Sequence, residues 1–408
     1  MCETCEKICD FPTSLEPHQF AGAMVASFDC RSPYDPAAYA AAALEERLGE
    51  TRTVYANVFF GVGVGAAANG YLACGSSTGA ISVFNVDHLL AGGPENDVAP
   101  ALVLPAHEGA VYSLVVHADE GILCSGGDDG RTVVWRVDAL VAAADGDDKQ
   151  NEVRPAAAFV NPQRVLPRGA LGAVPETNAL AYDGSRSVLF SAAGDGVCYG
   201  WDVREGRSSP AVRLRGHAAG APLHCAAARS GGGAGGTVVT GSEDGTARIW
   251  DVRREAASHV VNPYAATSVS SVEETVDVLP REKRGVERRW VGCVALDGAE
   301  NWCAMGSGGG TVTMWSFAAG ACASRVTAGR GTAMQAVKLT GEHVVAAGSE
   351  PHVFRWNLAG KLISRQPCGP ASVFALDAAR AMTAVGGAGA TVEIFSALGT
   401  KVATAKCA

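Results

Sequence analysis

The chain of 408 residues repeats one pattern of apolar and polar positions seven times between Tyr71 and Ser396. Each unit has an apolar segment, a short turn rich in Gly, Asp and Ser, and a second apolar segment that ends in an aromatic residue. In residues 237–252, for example, TVVTGS precedes the turn Glu243-Asp244-Gly245 and TARIWDV follows it. Asp-Gly between alternating β-formers is a strong signal of a β-hairpin, because glycine adopts positive φ without strain. The pattern therefore predicts seven hairpins and very little helix.

The spacing of the terminal aromatic residues predicts how the hairpins are assembled. These residues are Phe84, Trp135, Trp201, Trp250, Trp315, Trp356 and Phe395. The steps between them run from 39 residues (356 to 395) to 66 residues (135 to 201). The short steps match the roughly 40–45 residues of one four-stranded propeller blade, and the long steps are explained by loop insertions. We therefore expect an all-β fold, a seven-bladed WD40 β-propeller with a short N-terminal helix.

The chain divides into a tail and one propeller domain. Residues 1–50 are expected to form a partly disordered tail with a short helix that begins at Pro36 and ends before Gly49. Residues 51–408 are expected to form the propeller, with insertions at 141–170 between blades 2 and 3 and at 254–289 between blades 4 and 5. Blade 7 has four apolar segments of its own, so we expect the ring to close without an exchanged strand.

Composition narrows the class of protein. The net charge is −9, from 33 basic and 42 acidic residues, which argues against a nucleic-acid-binding surface over the whole body. No segment reaches the roughly 18 apolar residues of a membrane span, so no membrane contact is expected. The chain has 13 cysteines, and those inside predicted strands, such as Cys74 and Cys124, are typical of reduced apolar residues in an intracellular protein.

Two units contain the ingredients of a hydrolase site: a histidine before the first strand, a hydroxyl in the second, an aspartate in the turn and a tryptophan in the third. They are His107, Ser125, Asp129 and Trp135 in blade 2, and His217, Thr240, Asp244 and Trp250 in blade 4. This spacing favours a structural blade network of buried hydrogen bonds, each worth about 1 kcal/mol net. Blades 3, 5, 6 and 7 lack the histidine and are expected to be held mainly by packing. We therefore expect no catalytic residues and no enzyme activity.

Two further clusters suggest a metal or a cofactor only superficially. Cys2, Cys5 and Cys9 with His18 could ligate zinc, but without a second cysteine pair a flexible reduced tail is favoured. The glycine-rich segment 61–65 resembles a dinucleotide fingerprint, but it continues into a strand instead of a phosphate-binding helix. We expect neither a bound metal nor a cofactor.

Two Trp-Asp-x-Arg sequences are the most specific surface signal. LFSAAGDGVCYGWDVR (189–204) and VVTGSEDGTARIWDVR (238–253) resemble the box of propellers that dock on the damaged-DNA-binding adaptor of cullin-4 ubiquitin ligases. This resemblance makes Asp202, Arg204, Asp251 and Arg253 candidate partner-binding residues and gives one functional hypothesis, a substrate receptor of such a ligase. The alternative is that these residues only cap the strand that they follow.

A second resemblance covers residues 54–408. The segments VPETNAL (174–180), RRWVGC (288–293) and VEIFSALGTKV (392–402) are not generic propeller sequence, and they resemble the THO complex subunit 6 family. The resemblance implies a non-enzymatic scaffold subunit of the nuclear THO/transcription–export (TREX) complex, acting in mRNA processing and mRNA export. Its implied partners are the other THO subunits, especially coiled-coil subunits, with RNA contacted indirectly or weakly. We adopt this function and keep the ligase receptor as the alternative.

A basic run before the predicted first strand of blade 5 is a third candidate for partner binding. It contains Arg281, Lys283, Arg284 and Arg288 in a chain that is acidic as a whole. The run is compatible with a solvated loop, with a contact to a partner or RNA, and with a nuclear-import signal.

Replacing these four residues with serine should weaken association with a partner or RNA at low salt and leave the free energy of unfolding unchanged. The reason is that exposed charges are screened beyond about 8 Å at physiological ionic strength. Binding measured from low to high salt checks this expectation. Binding that neither falls in the variant nor depends on salt would make the run an ordinary solvated loop.

Overall fold

A computed structural model describes residues 51–61, 68–146, 153–164, 171–230, 236–264, 290–329, 332–341 and 343–408. The predicted N-terminal tail and helix, the Cys2–His18 cluster and the basic run lie outside the described residues. So does most of the glycine-rich segment 61–65.

The described chain forms seven sheets, each one blade, and each has four antiparallel strands; the sheet of blade 7 carries a fifth strand in addition. In blade 1 the strands are β1 (Val54–Phe60), β2 (Tyr71–Ser76), β3 (Ala80–Asn85) and β5 (Leu102–Pro105), with β4 (Asp97–Val98) between the last two in sequence; in blade 2 they are β6 (Val111–His117), β7 (Ile122–Gly127), β8 (Arg131–Arg136) and β9 (Ala157–Val160); in blade 3, β10 (Thr177–Asp183), β11 (Val188–Ala193), β12 (Cys198–Asp202) and β13 (Val212–Leu214). In blade 4 they are β14 (Leu223–Arg229), β15 (Thr237–Ser242), β16 (Ala247–Asp251) and β17 (Ala256–Val261); in blade 5, β18 (Val291–Leu296), β19 (Trp302–Ser307), β20 (Thr311–Ser316) and β21 (Ala321–Thr327). In blade 6 they are β22 (Met334–Thr340), β23 (His343–Gly348), β24 (His352–Asn357) and β25 (Leu362–Pro367); in blade 7, β26 (Val373–Ala379), β27 (Met382–Gly387), β28 (Thr391–Ser396) and β29 (Lys401–Lys406). The prediction of seven blades is confirmed.

The turn between the second and third strands shows why this sequence forms hairpins. In blade 4, Gly245 has φ 81°, a conformation that other residues adopt only with strain. The Asp244 carboxylate accepts the backbone N–H of Thr246 at 2.9 Å and so stabilises the same turn. Local sequence and local hydrogen bonding therefore specify the turn together.

The apolar core lies between neighbouring blades. Each main cluster of buried side chains joins two blades: Phe190 of blade 3, for example, shares its cluster with Leu223 and Trp250 of blade 4. Trp250 and Trp201 are among the largest fully buried side chains in the described chain. Because one aromatic side chain buries about 150–250 Å², these tryptophans account for much of the packing between blades.

Two helices among the described residues follow third strands directly. Helix α1 (Val86–Gly92) begins after Asn85, whose side chain accepts the backbone N–H groups of Asp87 and His88. Helix α2 (Val137–Asp145) follows β8, and its buried Leu140 and Val141 pack in the core of blade 1. No helix in the described part of the chain is long and apolar enough to span a membrane.

The long connections differ from the sequence-based expectation. Part of the segment 141–170 is strand β9, the outer strand of blade 2, and part of 254–289 is strand β17, the outer strand of blade 4. These outer strands are largely exposed, and neither is followed by the turn and terminal aromatic residue that identify the inner strands. The connections to the next blades therefore begin only after β9 and after β17.

The four main strands of blade 7 all come from the C-terminal part of the chain, so none of these four is exchanged with blade 1. A single carboxylate joins three blades there instead. Asp377 on β26 accepts the backbone N–H of Phe59 on β1 at 2.9 Å and lies 2.6 Å from the ammonium group of Lys338 on β22. Nearby, the N–H of Gly389 donates to the carbonyl of Arg52 at 2.9 Å.

The outer side of the seam is closed by a segment of blade 1. Strand β4 pairs in parallel with β29 and adds a fifth strand to blade 7. The Thr404 hydroxyl donates to the carbonyl of Pro94 at 2.9 Å, and the N–H of Ala408 donates to the Ser82 hydroxyl at 3.1 Å. Leu89 of α1 belongs to the same buried cluster as Ile394 and Ala405 of blade 7. The seam is therefore fastened by backbone pairing and apolar packing from blade 1.

Replacing Asp377 with alanine should lower the free energy of unfolding by about 2–4 kcal/mol, since a buried N–H and a lysine would lose their acceptor together. Asp377→Asn keeps an oxygen for Phe59 and should cost less. Urea unfolding of both variants measures the effect, with Asp251→Ala as the control because that exposed carboxylate serves only its own strand end. An Asp377→Ala loss no larger than that of the control would show that this carboxylate does not fasten the seam.

Candidate functional site

The predicted polar residues of blade 2 form one chain of hydrogen bonds. His107, which follows β5, has Nδ1 2.9 Å from Asp129 Oδ1 and Nε2 2.8 Å from the Ser125 hydroxyl. The indole N–H of Trp135 donates to the same hydroxyl at 3.0 Å. The pattern fits a neutral histidine that donates from Nδ1 to the carboxylate and accepts the serine proton at Nε2. The network links the turn, the second strand and the third strand of one blade.

Blade 4 repeats the arrangement with threonine in place of serine. His217 Nδ1 lies 2.9 Å from Asp244 Oδ2, and Nε2 lies 2.8 Å from the Thr240 hydroxyl. Trp250 donates its indole N–H to that hydroxyl at 2.8 Å. The two networks have matching partners and distances, as two copies of one structural unit should.

The local environment in blade 4 lowers the pKa values of both His217 and Asp244. Burial lowers the pKa of His217 below its usual 6.5, although the neighbouring Asp244 carboxylate opposes the shift. Burial alone would raise the pKa of Asp244, but hydrogen bonds from Thr246, Ala218 and His217 lower it to about 2. At neutral pH the network therefore holds a neutral imidazole against an ionised carboxylate.

The same geometry makes a hydrolytic role unsuitable. The side chains of His107 and His217 have 0% exposure, and so do Ser125 and Thr240. A nucleophile must reach its substrate, and each of these hydroxyls is enclosed between an indole and an imidazole. The arrangement can stabilise a blade, but it cannot present a reactive oxygen to solvent.

Blade 3 contains a residue that the sequence analysis missed. The blade lacks the histidine, but Asn161, which follows β9, accepts the Ser191 hydroxyl at 2.8 Å, and Trp201 donates to Ser191 at 3.1 Å. The Asn161 amide also donates to Pro175 and Thr177. Blade 3 therefore has a buried hydrogen-bond network of its own, in addition to the apolar packing that the sequence predicts. The signal that could identify Asn161 is its position just after β9, but the sequence analysis places β9 within the insertion 141–170.

The Trp-Asp-x-Arg ends show local capping. Asp202 accepts the backbone N–H groups of Arg204 and Glu205, each at 2.9 Å, and Asp251 accepts the N–H of Arg253 at 3.0 Å. The guanidinium group of Arg204 is 75% exposed and lies 3.6 Å from a Glu120 carboxylate oxygen. Capping of the strand end therefore accounts for the two aspartates.

Within the described ranges, no group of three or more His, Cys, Asp or Glu side chains is placed to hold a metal ion. The candidate partner residues of the basic run, Arg281, Lys283, Arg284 and Arg288, lie outside those ranges.

Comparison with known proteins first defines the class. Residues 99–136 and 208–251 match the family "WD domain, G-beta repeat". The WD40 β-propeller domain of Doa1 superposes with a TM-score of 0.55, covering 83% of this chain and 90% of that one at 15% identity. This likeness shows the fold alone: the protein is a WD40 β-propeller.

Relatives that align with most of this chain identify a narrower family than the WD repeat does. The chain is 31% identical to THO complex subunit 6 of Arabidopsis thaliana over 90% of its own length and 95% of the relative's. It is 26% identical to THO complex subunit 6 of Homo sapiens over 81% of this chain and 87% of that protein. The chain belongs to the THO complex subunit 6 family. Nothing in these comparisons supports the cullin-4 alternative.

Replacing His217 with asparagine should flatten the pH dependence of stability in mild acid. Because the folded-state pKa of His217 is lowered, the unfolded chain binds its proton first as the pH falls below 6.5, and the wild-type protein loses stability there. Asparagine cannot take up this proton, and blade 3 already uses it at the equivalent position. Asp244 contributes stability at pH values above its usual 3.8 and loses it only as the pH falls towards about 2.

Urea unfolding at several values between pH 7 and 5 checks this expectation. His224→Asn is the control, since that histidine is partly exposed and takes no part in a blade network. Equal slopes in the wild-type protein and His217→Asn would contradict the assignment of a buried neutral imidazole.

Proposed function

We propose that this protein is a non-enzymatic scaffold subunit of a THO complex and acts in mRNA processing and nuclear export of messenger ribonucleoprotein. The observation that carries the proposal is the 31% identity to an Arabidopsis THO complex subunit 6 across 95% of that relative. The likeness covers 90% of this chain, so it extends well beyond residues 99–136 and 208–251, which match the general WD family. A nuclear location follows from this assignment and is part of the proposal.

The geometry supports a scaffold. The residues that resemble a hydrolase site are enclosed and already hydrogen-bonded to one another, so they serve the blades. A closed ring of seven sheets offers rigid surfaces on which partners can assemble with little conformational cost. RNA contact in this proposal is indirect or weak, in keeping with the net charge of −9.

We place the contact with a coiled-coil THO subunit on the outer side of blades 6 and 7. Strand β25 exposes Leu362 and Ile363, at 48% and 49%, and the last turn of blade 7 exposes Leu398 at 96%. The two elements adjoin, because Arg355 of blade 6 donates to the carbonyl of Ala397 at 2.6 Å. Large exposed aliphatic side chains in one area are typical of an interaction site, and they suit the apolar face of a helix.

Charge favours an acidic helix at this surface. Residues 332–408 contain seven Lys and Arg but four Asp and Glu, in a chain that is acidic as a whole. The described carboxylates of this region are already paired: Glu350 lies 3.0 Å from Arg365 and Glu393 lies 2.9 Å from Lys401. The uncompensated basic charge would attract acidic side chains that flank the apolar face of a partner helix.

Affinity purification of the tagged protein from nuclear extract tests both the THO assignment and the location of the coiled-coil contact. The wild-type protein should recover the other THO subunits, and the double variant Leu362→Asp, Ile363→Asp should recover much less of the coiled-coil subunits. Val260→Asp is the matched control, since Val260 is 55% exposed on the outer strand of blade 4. Recovery of only unrelated complexes by the wild-type protein would refute the THO assignment. Undiminished recovery by the double variant would refute the location of the contact alone.

A further inference from the structure

Every blade has a β-bulge at the same place. In all seven innermost strands the pairing with the second strand shifts after the first residue, so the second residue has no partner across the sheet. Bulges re-aim side chains, and here they direct six side chains and the glycine Gly292 to one mouth of the central channel. We call this ring of residues the collar; its members are Tyr55, Tyr112, Asn178, His224, Gly292, Gln335 and Phe374.

One side of the collar is aromatic. Tyr55 of blade 1 has its ring centroid 5.2 Å from that of Tyr112 in an edge-to-face arrangement and 5.5 Å from that of Phe374. Across the opening, His224 packs edge-to-face on Trp290 with centroids 5.9 Å apart. All five side chains are partly exposed. The mouth is therefore lined by ring surfaces that solvent can reach.

Two of these rings are hydrogen-bonded to carboxylates. Tyr112 donates its phenolic O–H to Asp128 at 3.2 Å, and His224 lies 2.6 Å from Glu243. Burial, with the negative charges of Asp128 and Glu176, raises the pKa of Tyr112 to about 12. A cation at the mouth would be attracted by the ring faces and by the carboxylates together.

Below the collar, the channel contains an unsatisfied amide. Asn57 lies two residues after Tyr55 on β1, lines the channel and is 8% exposed. In the described chain neither its amide nitrogen nor its carbonyl oxygen has a hydrogen-bond partner. Both amide atoms are enclosed, so a guest at the mouth does not reach them. The Glu243 carboxylate, in contrast, lines the mouth and is 53% exposed, so it is accessible to a cationic guest.

We propose that the collar binds an arginine side chain presented by an extended segment of a partner protein. The mouth has a volume of about 440 Å³, which is ample for one side chain and its flanking backbone. The planar guanidinium group stacks on aromatic faces, is weakly hydrated and carries five donors, which can bind the Glu243 carboxylate at the mouth. A trimethylated lysine would meet the rings but could donate no hydrogen bond to Glu243, because it has no N–H. This site is separate from the helix-binding surface of blades 6 and 7 and does not depend on THO membership.

Saturation-transfer NMR with the purified protein tests the site directly, since it detects weak binding of small probes. The probe is the peptide acetyl-Gly-Ala-Arg-Ala-Gly-amide, compared with versions that carry citrulline, lysine or trimethyl-lysine in place of arginine. The arginine peptide should give saturable signals on its side-chain protons, and the citrulline peptide, which keeps the shape but not the charge, should bind about tenfold more weakly or not at all.

Three variants locate the binding. Tyr112→Leu and Glu243→Gln should each weaken it about tenfold, whereas Tyr112→Phe keeps the ring and should retain most of it. Trp302→Leu is the control, because this partly exposed tryptophan starts the second strand of blade 5, at the end of the blade opposite the collar. Melting temperatures of all four proteins establish that each is folded.

Three results would overturn the proposal. One is no saturable binding of the arginine peptide up to about 10 mM. Another is binding of the citrulline or trimethyl-lysine peptide as tight as that of the arginine peptide. The third is an equal loss of binding in Trp302→Leu and Tyr112→Leu. The experiment uses the isolated protein, so its outcome is independent of whether THO subunits are recovered from extract.

Discussion

The structure depends on closing a ring of sheets. Each blade buries its two faces against its neighbours, so a ring left open would expose the apolar faces of blades 1 and 7. Here the four main strands of blade 1 and the four main strands of blade 7 each come from one stretch of the chain. The carboxylate of Asp377 joins three inner strands, and the short strand β4 pairs with β29 on the outside. Closure therefore rests on a few polar contacts at the centre and on a segment of blade 1 at the rim.

The position of the collar follows from this closure. Tyr55, Tyr112 and Phe374 come from blades 1, 2 and 7, so the aromatic side of the channel mouth spans the seam. The rings of Tyr55 and Phe374 can meet only when blade 7 is docked against blade 1. A property of the whole ring, and not of any single repeat, thus creates the most distinctive surface of the channel. The buried networks of blades 2, 3 and 4 contribute differently, since each stiffens its own blade.

The sequence predicted the inner part of each blade well, because tight turns and terminal aromatic residues carry a strong local signal. It predicted the outer strands poorly: β17 exposes most of its side chains, and its composition does not differ from that of a loop. Asn161 was missed for the same reason, since its role depends on the outer strand that precedes it. The collar was invisible because its seven positions share a place in the fold and no common residue type. Such a site emerges only when register and ring closure are known.

Hydrogen–deuterium exchange followed by mass spectrometry tests the central claim, that the ring is closed at the seam without an exchanged strand. The peptides to compare contain the amide of Phe59, which donates to Asp377, and the amides of β14 at an interior blade boundary. The account predicts that the seam peptide is protected as strongly as the interior one, and that Asp377→Ala selectively speeds its exchange. A seam peptide that exchanges freely in the wild-type protein, while β14 remains protected, would contradict it.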